Sequence, residues 1–146
     1  MEIRKFEAKD QSAVLKLAEK YASWDATPTI ADIEGFHTSD PELFLVADNV
    51  HGVVGFIYGK ESKHISLEVL HNWNAGRVGS IEILAVEADF RRRGIGTLLL
   101  KKLLELFKDK GIDTVTLSVP AGEPAALNLY EGFGFETRGY FLKKKL

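Results

Sequence analysis

The 146-residue chain contains no cysteine. That excludes disulfides, thiolate metal sites and a cysteine nucleophile, and it fits an intracellular, cytoplasmic protein. No apolar run approaches the roughly 20 residues that a membrane span requires, so no membrane partner is expected. The opening residues, Met1-Glu2-Ile3-Arg4-Lys5-Phe6, alternate apolar and charged side chains and lack the form of a signal or transit peptide. The histidines show no metal-ligand spacing: His64 and His71 have no carboxylate pattern around them, and no metal is expected. No repeat, linker or low-complexity segment divides the chain. One mixed α/β domain over residues 1–146 is the economical reading.

The net charge of −2 conceals an asymmetry. Residues 1–50 carry ten acids (Glu2, Glu7, Asp10, Glu19, Asp25, Asp32, Glu34, Asp40, Glu42, Asp48) against five bases, whereas residues 51–146 carry fourteen bases against eleven acids. Such a split is consistent with a cationic partner at one side and an anionic one at the other, or simply with two solvated surfaces.

Alternation predicts a short strand over Met1–Ala8. Asp10 is placed to cap a helix through Val14, Leu15, Leu17, Ala18 and Tyr21. After a break at 22–28, Thr29–Phe36 reads as a second short helix. Leu43–Ala47 and Val53–Tyr58, joined by the turn-rich Asp48-Asn49-Val50-His51-Gly52, read as a hairpin. The segment 60–79 reads as a connection with a strand over Ile65–Leu70. Ile81–Val86 is a strand, Ile95–Lys110 a helix ended by Gly111, and Thr114–Val119 another strand. Pro124 opens a helix through Ala125, Ala126, Leu127 and Tyr130. Gly139–Leu142 reads as a last strand before Lys143-Lys144-Lys145.

The densest chemistry lies at Phe90-Arg91-Arg92-Arg93-Gly94-Ile95-Gly96-Thr97, between an apolar strand and a helix. A helix start exposes N–H groups that no helical carbonyl can satisfy. Three arginines stand beside them, and glycine at 94 and 96 removes the Cβ atoms that would block close approach. That combination suits an anion, above all a phosphate chain. Two familiar phosphate loops do not fit. The Walker spacing is absent, and the dinucleotide fingerprint would need glycine or alanine at the position held by Leu99. Arg92 and Arg93 are equally readable as phosphate ligands or as solvated charge.

The spacing Arg91-Arg92-Arg93-Gly94-Ile95-Gly96 resembles the acetyl-coenzyme A signature of the GNAT (general-control-related N-acetyltransferase) superfamily. Leu84-Ala85-Val86 is similar to that family's fourth strand. Ala126, Leu129-Tyr130 and Gly134-Phe135 are similar to its A-x-x-L-Y-x-x-x-G-F segment, and Ile3-Arg4 through Asp10 to its first strand and helix cap. The likeness is continuous from about Ile81 to the C-terminus. One departure stands out: Glu123 occupies a position that is often Asn in the family.

The resemblance implies a mixed central sheet of six to seven strands flanked by about four helices. It also implies transfer of an acetyl group from acetyl-CoA directly to a primary amine: a peptide N-terminus, a lysine or a small-molecule amine. The pyrophosphate would rest on the N–H groups near Arg93 to Thr97, with Arg91, Arg92, Arg93, Gly94, Ile95, Gly96 and Thr97 in contact. Pantetheine would pair with Leu84, Ala85 and Val86, and an N–H near Val86 would polarise the thioester carbonyl. Tyr130 matches the tyrosine that protonates the departing thiolate; read as a residue alone, it is also a core aromatic beside Phe133 and Phe135. Glu82 is the first candidate for the base and Glu123 the second. Strict alternation puts Glu82 on the face of Leu84 and Val86. Trp24, Asp25, Asp32, Glu34 and Tyr140 would frame a cationic acceptor. Dimerisation is common in the family, and the sequence leaves it open. Two other functions compete: a coenzyme A-binding sensor without turnover, and a nucleic-acid binder using Arg91–Arg93 and Lys143–Lys145. The acidic balance and the lack of a nucleic-acid module argue against the second.

Overall fold

The computed structural model describes all 146 residues. Five strands form one sheet in the order β1 (Glu2–Lys5), β2 (Phe44–Asn49), β3 (Gly52–Ser62), β4 (Val78–Val86), β5 (Thr114–Thr116). The first three junctions are antiparallel, and β4–β5 is parallel. The parallel step requires a crossover, which is supplied by helix α4 (Ile95–Asp109). The other helices are α1 (Gln11–Tyr21), α2 (Ile30–Ser39), α3 (Leu67–Trp73) and α5 (Pro124–Gly132). No helix is long and apolar enough to cross a membrane.

Each sheet face carries its own core. Ile95, Leu99, Leu100, Leu103 and Phe107 lie along one stripe of α4 and pack on Leu45, Ile57 and Ile81. Phe107 can approach the strands closely because Gly59 and Gly79 lack side chains: a Cβ on either would come within 2.7 Å of its ring. On the opposite face, Val14, Leu17 and Ala18 of α1 and Ile33 of α2 cover Phe44, Val46, Phe56 and Tyr58. Burying each of these large side chains contributes on the order of 1.5–3 kcal/mol.

Several expectations are corrected here. The sheet has five strands rather than six or seven, and the helices number five, near the four or so expected. Ile65–Leu70 is not a strand. Ser66 Oγ accepts the Val69 N–H at 3.2 Å and starts α3, which Asn74 ends in a left-handed turn (φ 51°); the local cap outweighs the alternation of Ile65, Leu67 and Val69. β5 stops at Thr116 instead of Val119, because β4 and β5 part beyond that point. Gly139–Leu142 pairs with nothing, and residues 136–146 lie exposed outside any regular element. A strand without a partner ladder leaves its backbone to water.

Asp10 precedes α1 as expected, but its side chain does different work. The carboxylate is 4% exposed, accepts the Glu7 N–H at 2.8 Å, and takes both terminal nitrogens of Arg4 at 2.8 Å. Arg4 also reaches Asp48 at 2.9 Å, tying β1, α1 and β2 together. Burial opposes the charge on Asp10, yet the Arg4 and Glu7 hydrogen bonds hold its carboxyl below the usual aspartate range. A carboxyl depressed in the folded state stabilises it above the unfolded value near 4, and that contribution is lost as pH falls through the folded value. Asp10→Ala removes two charge-assisted hydrogen bonds of Arg4 and leaves its guanidinium to Asp48 alone, and is expected to destabilise the fold by about 3 kcal/mol. Urea melts at pH 7 and pH 3 check this: the gap between wild type and variant should shrink at the lower pH.

Candidate active site

The β4–β5 junction sets the geometry. Only Val78, Gly79 and Ser80 pair with Thr114, Val115 and Thr116; beyond them the two strands diverge. The gap opens into a cleft of about 1520 Å³, walled by Glu82–Val86 on one side and Leu117–Pro120 on the other, with α1, α2, the head of α4 and α5 around it.

The β4 wall is irregular. Tyr58 pairs with Ile83 and Gly59 with Ile81, so Glu82 is an extra residue opposite β3, a β-bulge. Ile81 packs on the α4 side, Ile83 and Ala85 on the α1–α2 side, and Leu84 and Val86 again on the α4 side. The bulge therefore breaks the alternation, and Glu82 does not share the face of Leu84 and Val86. It lines the cleft instead and ion-pairs with Lys60 at 3.0 Å. The Glu87 N–H donates to Val54 on β3. Alternate residues of an antiparallel ladder turn their N–H and C=O to opposite sides, so Leu84 and Val86 direct theirs away from β3, toward the gap. The Val86 carbonyl takes one bond there, from Arg91 Nε at 3.0 Å.

The loop before α4 presents a row of unused donors. The Arg91 N–H bonds Ala88, and the Leu98 N–H bonds Gly94; the N–H groups from Arg92 through Thr97 have no backbone acceptor. Six consecutive free donors exceed the four that any helix start leaves. Left-handed backbone at Arg92 (φ 61°) and Gly94 (φ 78°) bends the loop, the kind of turn that gathers N–H groups into an anion-binding concavity. The positive end of the α4 dipole adds to it. A phosphate chain fits this row by charge and by donor chemistry.

The arginines divide. Arg91 stacks on the Tyr21 ring, 4.5 Å from its centroid, and braces β4. Arg92 lines the cleft; Arg93 lies over Phe90 and is not among the lining residues. Tyr21 fastens α1 to this loop: its hydroxyl donates to Glu87 at 2.9 Å and accepts the Ala88 N–H at 2.9 Å.

Tyr130, on α5, is 8% exposed, lies edge-on to Phe135 and lines the cleft. Burial pushes its hydroxyl up to about 12. Glu123 also lines the cleft, at the N-cap of α5, without capping it through its side chain.

The α1–α2 side of the cleft adds acidic lining. Trp24, Asp25 and Asp32 line it, although Asp32 spends its carboxylate on the Thr29 N–H at 2.8 Å. Glu34 is not brought to the cleft: it sits on the α2 side facing α1, where Gln11 donates to it at 3.2 Å. Nor is Tyr140, which is 89% exposed in the unpaired C-terminal segment. Two lining residues were missed from sequence, Tyr58 and Asp40, joined by a 2.9 Å hydrogen bond from the tyrosine hydroxyl. Burial first, and then Asp40, raises the Tyr58 hydroxyl well above the usual tyrosine range. Alternation along β3 shows that Phe56 and Tyr58 share a face, but not which helix covers it.

Comparison with known proteins agrees with this architecture. Residues 10–135 match the acetyltransferase (GNAT) family. The chain belongs to that family. An acetyltransferase of Photorhabdus laumondii is 34% identical over 94% of this chain and 88% of its own length. One of Pectobacterium atrosepticum is 33% identical over 94% and 89%. Among solved structures, Ard1 from Thermoplasma volcanium superposes with a TM-score of 0.79 at 28% identity, covering 94% of this chain and 84% of its own. The NatC complex bound to Gag peptide and CoA gives 0.78 at 26%, covering 95% and 87%. Within this GNAT fold, the diverging strands and the row of N–H groups form the cleft described above.

Proposed function

We propose that residues 1–146 act as one N-acetyltransferase domain that moves the acetyl group of acetyl-CoA directly onto a primary amine. The observation that carries this reading is the row of six free N–H groups, Arg92 to Thr97, at the mouth of the β4–β5 gap. The row would hold the pyrophosphate. Leu84 and Val86 would offer their inward backbone groups to the pantetheine amides, and the Val86 N–H would polarise the thioester carbonyl. Tyr130 would donate to the leaving sulfur, and Glu82 would accept the proton of the amine, directly or through water.

Direct transfer needs a neutral amine. For a lysine-like amine, deprotonation near pH 7 costs roughly 4.6 kcal/mol, against about 1 kcal/mol for a peptide N-terminus. A carboxylate at the bulge matters most for the first kind. The acidic lining of the cleft, with Asp25, Asp40 and Glu82, favours an acceptor that carries positive charge. A peptide N-terminus, a lysine side chain, a polyamine and an aminoglycoside all satisfy that chemistry. The peptide has a parallel in the NatC complex, whose structure holds a peptide and CoA.

Calorimetric titration with acetyl-CoA tests the reading. Binding at micromolar affinity or tighter is expected, followed by thiol release when amines of those four kinds are offered. Failure to bind acetyl-CoA overturns it.

A further inference from the structure

The cleft leaves one apolar surface unexplained. Tyr140, Phe141 and Leu142 are 89%, 94% and 86% exposed, and no backbone hydrogen bond involves residues 136–146. A single exposed apolar side chain is ordinary. Three in succession, on backbone that is itself unpaired, form a patch of the kind that marks an interaction surface. The root of this arm is fixed: the Arg138 guanidinium lies over the Trp73 ring, 4.9 Å from its centroid.

A matching surface lies close to that root. Gly76, three residues after Trp73, donates its N–H to Asp113 at 2.9 Å, just before β5. β5 ends the sheet, so its outer edge carries N–H and C=O groups without a ladder partner. Beside it, between α4 and β5, runs an open groove of about 500 Å³ walled by Leu104, Phe107, Ile112 and Val115. The arm of the same chain does not fill this groove, since its apolar side chains are almost fully exposed.

We propose that residues 139–145 of one copy add a strand to β5 of a second copy, which returns the same contact, so that the protein is a two-fold dimer joined by exchanged arms. The inference stands independently of the acetyl-CoA reading. An extended apolar segment and an open sheet edge over an apolar groove are complementary in backbone and in side chains. Because root and groove lie at the same end of the β4–β5 ladder, two copies set groove to groove bring both roots to the seam. Each arm then only has to cross it, and the contact is isologous. Run antiparallel to β5, the arm brings Lys143 level with Asp113, the one carboxylate lining the groove; Lys108 is the groove's other charge.

The area is sufficient. A buried Phe or Tyr covers roughly 150–250 Å², so the aromatic rings of two arms supply on the order of 600–1,000 Å². With Leu142 and the groove walls added, the total reaches the roughly 1,200–2,000 Å² of a stable interface. The exchange also bears on the cleft. Only three ladder pairs hold β5 to β4, and its continuation, Leu117–Pro120, is one wall of the cleft. A strand on the other edge of β5 would brace that wall.

Light scattering on the whole protein is the first measurement, and a mass of about twice the chain's 16.3 kDa is expected. Tyr140→Asp with Phe141→Asp should weaken the dimer by at least about a hundredfold, with the circular dichroism of the wild type, because both residues lie outside the core. Cross-linking then locates the contact. The chain has no cysteine of its own, so Leu142→Cys chains mixed with Val115→Cys chains should form disulfides between unlike chains at least about tenfold faster than between like ones; the bond needs Cα atoms within about 7 Å. A wild type that stays monomeric at about 0.1 mM overturns the proposal. So does a dimer that survives the aspartate pair, or one that gives no preference for unlike chains, since another surface then joins the copies. Acetyl-CoA is absent from all three measurements, so none of these outcomes bears on the proposed function.

Discussion

Replacing Tyr130 by Phe is expected to lower kcat by about 10²–10³-fold while leaving the affinity for acetyl-CoA unchanged. General acid catalysis contributes on that scale, equivalent to about 3–4 kcal/mol of barrier. The substitution isolates the hydroxyl. The ring is almost wholly buried and lies edge-on to Phe135, and Phe keeps both features. The hydroxyl makes no hydrogen bond within the protein and has no buried role to lose. Burial pushes it up to about 12, so it remains a donor throughout the neutral and mildly alkaline range.

The same burial bears on the chemistry. In water a thiol titrates near 8.5, and a phenol near 12 would give up its proton to the thiolate only uphill. A cleft that disfavours a charged phenolate disfavours a charged thiolate too. The two proton affinities therefore rise together, and a hydrogen bond that strengthens as the C–S bond breaks is the natural outcome. The rate of the wild type should climb with pH as the amine loses its proton, and should show no descending limb up to about pH 10. Steady-state kinetics of Tyr130→Phe against pH, alongside calorimetry, checks both statements. Unchanged kcat in the variant would return Tyr130 to a packing role. A protein whose wild type binds acetyl-CoA but turns over none of the amines offered would be the sensor.

How far the sequence could be read depends on the range of the interactions involved. The strand–loop–helix unit around Gly94 was legible because its pattern is local. Gly94 and Gly96, the arginines and the apolar stripe of α4 lie within one strand–loop–helix unit, and the fold places them as their spacing implies. The β2–β3 hairpin was legible for the same reason. Glu82 was visible as a carboxylate on β4, but its face was not, because a bulge exists only in the pairing of two strands and shifts every later side chain by one. Glu34 and Asp32 look alike in the sequence. Only the approach of α2 to α1 turns one toward Gln11 and the other toward the cleft. Tyr140 depended on a strand pairing that does not form. The Tyr58–Asp40 contact joins β3 to the end of α2 across eighteen residues, and no local pattern announces it.

Gly94→Asp is expected to abolish acetyl-CoA binding without unfolding the protein, and this separation makes it the sharper test of the anion site. Gly94 is the N-cap of α4, with φ 78° and ψ 9°. A Cβ built there meets nothing within 4 Å, so the cost of a side chain is the left-handed backbone alone, about 1–2 kcal/mol. Aspartate tolerates that conformation better than most residues, and a carboxylate at a helix N-terminus is favourable to the helix by roughly 0.3–1 kcal/mol. Thermal stability should therefore change little. Binding should suffer twice. The new carboxylate competes for the free N–H groups between Arg92 and Thr97, and it repels the pyrophosphate meant to lie there. A loss of at least about a hundredfold in Kd, close to 2.7 kcal/mol, follows if the row holds the phosphates. Gly94→Ala carries the backbone strain without the charge, so a modest loss in that variant assigns the rest of the effect to the anion. If Gly94→Asp binds acetyl-CoA like the wild type, the phosphates do not rest on this loop, and the roles drawn from it for Val86 and Tyr130 fall with it.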